Sequence, residues 1–244
     1  MTDTTAAADD VTGDGRTAAG GYTVVVPPGW CRIPLRHGTN AAIKNVLDRS
    51  FRHLPRDRVA PYRLEIERRL KALVAQSRSN AGLDLYFPVD AAADGPVPAS
   101  FLVSEARYSP PSEDGEQDQA ARAVDPAQVL AYLASESPGA RIVDADGAPG
   151  LRAEQVVRPG PDAEFQYATR RVEYTLAVPG SPGRWLVVAF STPGSADPDG
   201  RLARLLTELF DAIMLTFRWV PVSGQPRAQD GGAPGNRAAA RSPR

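Results

Sequence analysis

The second half of the chain is a succession of strand-like segments joined by turns too short to hold a crossover, and this constrains the fold more than anything else in the sequence. Ala140 to Ala145 and Leu151 to Val157 flank Asp146-Gly147-Ala148-Pro149-Gly150, a cluster of turn-forming residues. Glu164 to Val178 runs through Pro179-Gly180-Ser181-Pro182-Gly183 into Arg184 to Ser191, which predicts a hairpin. Parallel neighbours need a long crossover connection, so strands that follow one another this closely pair antiparallel.

The remaining segments read around that core. Tyr22 to Val26 is a short apolar strand running into Pro27-Pro28-Gly29-Trp30. Leu83, Leu85, Phe87 and Val89 alternate with Asp84, Tyr86 and Pro88, a half-buried strand, and Phe101 to Tyr108 is another. Four helices follow from apolar periodicity. The first is capped by Thr39 or Asn40 and carries Ile43, Val46, Leu47 and Phe51 on one face. The second repeats Val59, Tyr62, Ile66, Leu70, Leu73 and Val74 at helical spacing, with Pro61 in its first turn. The third enters at Asp125-Pro126 and buries Val129, Leu130 and Leu133. The fourth enters at Asp197-Pro198 and aligns Leu202, Leu205, Leu206, Leu209 and Ile213. The expected fold class is α+β: an antiparallel β-sheet flanked by helices, an α/β/α-type sandwich. Trp30, Trp185 and Trp219 are expected in or beside its core.

Charge and composition exclude several classes. Lys and Arg number 28 against 29 Asp and Glu, so the chain lacks the excess cationic charge of a protein that neutralises phosphates. The single cysteine, Cys31, allows neither an internal disulfide nor a thiolate metal cluster. No apolar run approaches the ~20 residues that span a bilayer. Residues 1–20 form an acidic, aperiodic tail without the basic and apolar regions of a signal peptide, so the expected location is cytoplasmic. Residues 221–244 are a Pro-, Gly- and Arg-rich basic tail. Both tails are expected to be disordered and dispensable, leaving a single α+β domain over 21–220. Ser109 to Gln119, acidic and Pro-bearing, reads as a surface loop.

This layout resembles the PsbP-like fold family, which includes photosystem accessory, Ran-binding and secretion-chaperone proteins. The resemblance is carried by the opening strand into Pro28-Gly29-Trp30 and by the meander with Gly147 and Gly150 before Leu151-Val157. It is carried further by the hairpin from Arg171-Val178 to Trp185-Ser191 and by the closing helix into Phe217-Arg218-Trp219. It covers roughly Tyr22 to Trp219 as a layout, and the long second helix and the Ser109-Gln119 loop depart from it. The resemblance implies a protein that works by binding another protein. The matching positions are structural, so no site residue transfers.

Catalytic and metal-binding patterns are sparse. Cys31 and His37 lie close in sequence, with Arg32 and Arg36 able to favour a thiolate, but no orienting group or oxyanion signature accompanies them. His37 and His53 are the two histidines and lack the spacing of a metal site. Ser191 lacks the Gly-x-Ser-x-Gly elbow. The arginines at 52, 56, 58, 63, 68, 69 and 78 are interleaved with Asp57, Glu65 and Glu67, the pattern of a salt-bridged solvent face. No cofactor and no metal are expected. The expected function is non-catalytic: an adaptor or chaperone-like protein, with a secreted protein as one kind of partner. The alternatives are a small-ligand or lipid-binding module, which needs a sizeable pocket, and a Cys31-dependent enzyme. The expected partner surface is the outward parity of the long Glu164-Val178 strand, where Phe165, Tyr167 and Arg171 combine aromatic and cationic character.

Overall fold

The computed structural model describes residues 18–52, 54–90, 97–108, 125–160, 167–192 and 197–222. The Ser109-Gln119 segment, His53, Phe165, most of the N-terminal tail and nearly all of the C-terminal tail lie outside them. The element order is β1 (Ala19–Thr23), β2 (Trp30–Pro34), α1 (Thr39–Ser50), α2 (Arg56–Ser79), β3 (Gly82–Pro88), β4 (Ser100–Arg107) and α3 (Pro126–Glu136). It continues with β5 (Arg141–Ala145), β6 (Ala148–Val157), β7 (Thr169–Ala177), β8 (Arg184–Thr192), α4 (Arg201–Leu215) and β9 (Arg218–Pro221).

Seven strands form one sheet in the order β2-β3-β4-β8-β7-β6-β5, with every neighbouring pair antiparallel. The fold is α+β with helices on both faces. The β5–β6 hairpin turns at Asp146 and Gly147, which take φ of 53° and 81°. Two consecutive residues at positive φ are what a tight two-residue hairpin turn requires, and Asp followed by Gly is the pair that tolerates it. The β7–β8 hairpin closes through the Pro- and Gly-rich turn, and β8 then lies against β4 rather than a sequence neighbour.

Side-chain alternation sorts the two faces. On one, Phe101, Val103, Val172, Tyr174, Leu176, Leu186, Val188 and Phe190 pack against Leu206, Phe210, Ile213 and Met214 of α4. The Phe210 ring is stacked on Phe190 at 4.7 Å and meets Tyr174 edge-on at 5.7 Å. On the other face, Ile33, Leu35 and Leu85 pack under α1 and the C-terminal part of α2, through Ile43, Val46, Leu47 and Val74. At the far side of that face, Leu151, Ala177 and Trp185 pack under Leu130 of α3.

Several expectations are corrected. β7 begins at Thr169, so the described strand is shorter than the expected Glu164-Val178 segment. α4 begins at Arg201 after Gly200, and it is turned so that Leu202 and Leu205 are exposed while Ala203, Thr207 and Phe210 are buried. A leucine stripe alone does not specify helix rotation, because the bulkier Phe210 and the small Ala203 fit the sheet better. β1 begins at Ala19, two residues inside the expected tail, and it joins β9 in a separate two-stranded sheet. Trp185 is buried, whereas Trp30 and Trp219 are partly buried at the edge of the α4-facing core.

Candidate functional site

The small β1–β9 sheet stands beside the main sheet, and the two enclose an open cleft of about 380 Å³. Its position follows from the aromatic packing that docks the small sheet. Tyr22 stacks on Phe217 at 5.8 Å, Phe217 meets Trp219 edge-on at 4.9 Å, and the Trp219 indole N–H donates to the Ala145 carbonyl at 3.1 Å.

Two carboxylates, Asp84 buried and Glu105 largely covered, anchor the polar lining. Asp84 accepts from the Tyr22 hydroxyl at 2.5 Å and from Arg32 Nε at 2.7 Å. Glu105 accepts from Arg184 Nε at 3.0 Å and from Arg36 Nη2 at 3.2 Å. The Asp84 and Glu105 side chains are 5% and 11% exposed, against 57%, 59% and 37% for Arg32, Arg36 and Arg184. Negative charge thus sits on the floor and positive charge at the mouth. Burial pushes the Tyr22 hydroxyl far above its ordinary range, helped by Tyr86 and Asp84, so it stays a neutral donor. Burial opposes ionisation of Glu105, but hydrogen bonds from Arg184 and then Arg36 outweigh it and hold the carboxyl below its ordinary value. The hydrogen bond to Asp84 raises Arg32. His37 also lines the cleft, and Leu83, Val178, Leu186 and Trp219 supply apolar wall.

The second notable surface is on α2. Its C-terminal part closes over α1 through Leu70 and Val74, and Arg78 turns inward to donate to the Leu35 carbonyl and, at 2.7 Å, to Thr39. Towards the N-terminus the same apolar stripe leaves the body, with Tyr62 69% exposed and Ile66 exposed, and in the C-terminal part Leu73 is exposed beside Val74. This corrects the expectation that the whole stripe is core. The charges beside it pair locally, Arg68 and Arg69 with Glu65, Lys71 with Glu67, and Arg63 with Asp48 of α1. The salt-bridged solvent face expected from the sequence is present over this part of α2.

The expected partner surface is only partly described. Tyr167 is exposed and precedes β7. Arg171 lies on β7, exposed, with its guanidinium 2.9 Å from Glu173. Phe165 lies outside the described residues. Cys31 and His37 are not brought together as a pair: Cys31 packs with the α1-facing cluster and accepts from Arg49 Nη1 at 3.6 Å, whereas His37 lines the cleft. Among the described residues no group of three or more His, Cys, Asp or Glu side chains is placed to hold a metal ion. The sequence reading missed the cleft because its carboxylates and arginines are scattered over distant strands. The one local signal was Asp84, a charged residue in an otherwise half-buried strand.

No family model matches the chain. No curated protein matches it by sequence. Among solved structures it is similar to LpqN of Mycobacterium tuberculosis, described as involved in cell envelope biogenesis, with 12% identity and a TM-score of 0.40 over 86% of this chain and 88% of that one. It is similar to cyanobacterial PsbP from Synechocystis, with 14% identity and a TM-score of 0.36 over 88% and 98% of the two chains. A Bacteroides thetaiotaomicron structure aligns with 58% of this chain at 9% identity and a TM-score of 0.34, and the alignment spans 40% of that protein's length. PsbP, whose layout the sequence resembles, is thus among the structural neighbours. Among the described residues no helix is long and apolar enough to cross a membrane.

Proposed function

We propose that this chain is a non-catalytic protein-binding module, an adaptor or chaperone-like protein, and that α2 receives an acidic amphipathic helix of another protein. The observation that carries the reading is the apolar stripe of α2, which continues past the end of its own packing partners. Val59, Tyr62 and Ile66 recur at three- and four-residue steps and Leu73 follows two turns further on, the spacing that a second helix reads in side-by-side packing. Burying such a face removes apolar area from water, and Tyr is a frequent anchor because it orders cheaply. Charge favours a foreign partner over a second copy. From Arg63 to Lys71 the helix carries four basic residues and two acidic ones, so two copies of α2 would bring like charge together.

The test places a photo-crosslinking phenylalanine analogue at position 62 of the full chain in its native cell. The expected product is one dominant adduct whose crosslinked segment is an acidic amphipathic helix. Adducts only with a second copy of this chain, or capture that persists unchanged in a Tyr62→Ser/Ile66→Ser protein bearing the analogue at Leu73, would overturn the reading.

A further inference from the structure

The cleft between the β1–β9 sheet and the main sheet has a charge arrangement that structural ion pairing does not require. An ion pair uses one or two of the five N–H donors of an arginine and leaves the others to water or to a ligand. Here Arg32 uses only Nε, on Asp84, and Arg36 uses only Nη2, on Glu105. The remaining guanidinium N–H groups of both side chains have no protein acceptor among the described residues, and both side chains stand at the mouth of the cleft. His37 also lines the cleft. The two carboxylates beneath are already satisfied by Tyr22, Arg32, Arg36 and Arg184, and they hold the guanidiniums in place rather than facing the opening. A planar guanidinium with free N–H groups, fixed through its other nitrogen, is prearranged for an oxyanion.

Part of the remaining lining is apolar. Leu83, Val178, Leu186 and the Trp219 ring line it, and its volume of about 380 Å³ falls in the range of small-molecule sites. We infer that this cleft binds a small amphipathic organic anion, its oxyanion head held by Arg32, Arg36 and His37 and its apolar body against Leu186 and Trp219. The class includes carboxylates and sulfonates of aromatic or short aliphatic bodies. The site is separate from α2, since none of its lining residues belongs to that helix.

Anilinonaphthalene sulfonate, an aromatic body with one anionic head, is the probe, titrated into the full chain with tryptophan excitation so that energy transfer reports occupancy near Trp219. Binding to a single saturable site is expected, weakened at least tenfold in Arg32→Gln/Arg36→Gln and weakened by added salt. N-phenyl-1-naphthylamine, the same body without the charge, is expected to bind at least tenfold more weakly. Tyr62→Ser is expected to leave the affinity unchanged. In the unsubstituted protein, the His37 ring resonances shift on titration, a readout that needs no arginine variant to fold. Equal affinity for the neutral analogue, equal affinity in the arginine double variant, loss in Tyr62→Ser, or an unmoved His37 would each overturn the inference.

Discussion

Arg152 shows how single residues tie the sheet to its covering helix. Its side chain is 8% exposed, yet it lies on the α4-facing side of β6, among apolar neighbours. Taking a guanidinium out of water is costly unless its donors are met. Asp211 of α4 meets two of them, at 2.8 and 2.9 Å, and Glu154 takes another at 2.8 Å. Burial works against the Arg152 charge, but Asp211 and Glu154 outweigh it and raise the group above its ordinary value. Asp211 also accepts from the Tyr174 hydroxyl at 2.7 Å, and Glu154 is shared with Arg170. Asp211→Ala therefore removes an anchor from both Arg152 and Tyr174. The expected loss is about 2–3 kcal/mol, below the ~3–5 of a fully buried broken pair because Glu154 still faces Arg152. A urea midpoint equal to that of the parent protein would show that the network carries no net stability.

At the scale of the element, α2 depends on charge along its exposed face. Tyr62 and Ile66 are exposed, so packing among the described residues holds the N-terminal part less than the C-terminal part. Local ion pairs offset some of that deficit. Hydrogen bonds from Arg68, then Arg69, pull the Glu65 carboxyl down to about 2, and Lys71 lowers Glu67 in the same way. A carboxyl lowered in the folded state contributes above its unfolded value, and the contribution disappears as pH falls through the folded value. Helicity of α2 is therefore expected to decline between the ordinary glutamate range and about pH 2, and high salt should blunt the effect. Carboxyl carbon NMR of Glu65 checks this directly: a titration midpoint in the ordinary glutamate range would mean that the arginines do not hold it.

For the whole molecule, the β1–β9 sheet ties the two ends of the described chain to each other and to the β7–β8 turn. Ala19 N–H donates to the Pro179 carbonyl at 3.0 Å, and Val222 N–H donates to the Ala18 carbonyl at 3.0 Å. Ala19 is itself buried in the core. The 21–220 domain expected from composition leaves Ala18, Ala19 and Val222, and with them both of these hydrogen bonds, outside it. A protein trimmed to 18–222 is expected to melt within a few degrees of the full chain. Trimming to 21–220 removes both hydrogen bonds and the buried Ala19, a loss of roughly 1–3 kcal/mol at about 0.5–1.5 per hydrogen bond. Calorimetry of the two trimmed proteins checks this, and equal melting temperatures would show that the outer turn of the small sheet is idle.

The sequence by itself determined the local structure. Turn chemistry in the Pro179-Gly183 segment announced its hairpin, and the Asp146-Gly150 cluster announced a turn that the structure narrows to Asp146-Gly147, with Ala148 to Gly150 already in β6. Apolar periodicity announced four helices, and alternation placed Val172, Tyr174 and Leu176 on the inward face of their strand. Those signals act within a few residues of one another. Only the tertiary structure decided that β4 lies beside β8, that β1 pairs with β9, and that α2 keeps half of its stripe in water. The cleft belongs to this second group. Tyr22 and Asp84 stand 62 residues apart, and Arg184 and Glu105 stand 79 apart. Each reads locally as an ordinary polar residue on a strand or at its end. Their convergence depends on which strand edges meet, and that is set by the summed burial of the whole core rather than by any local preference.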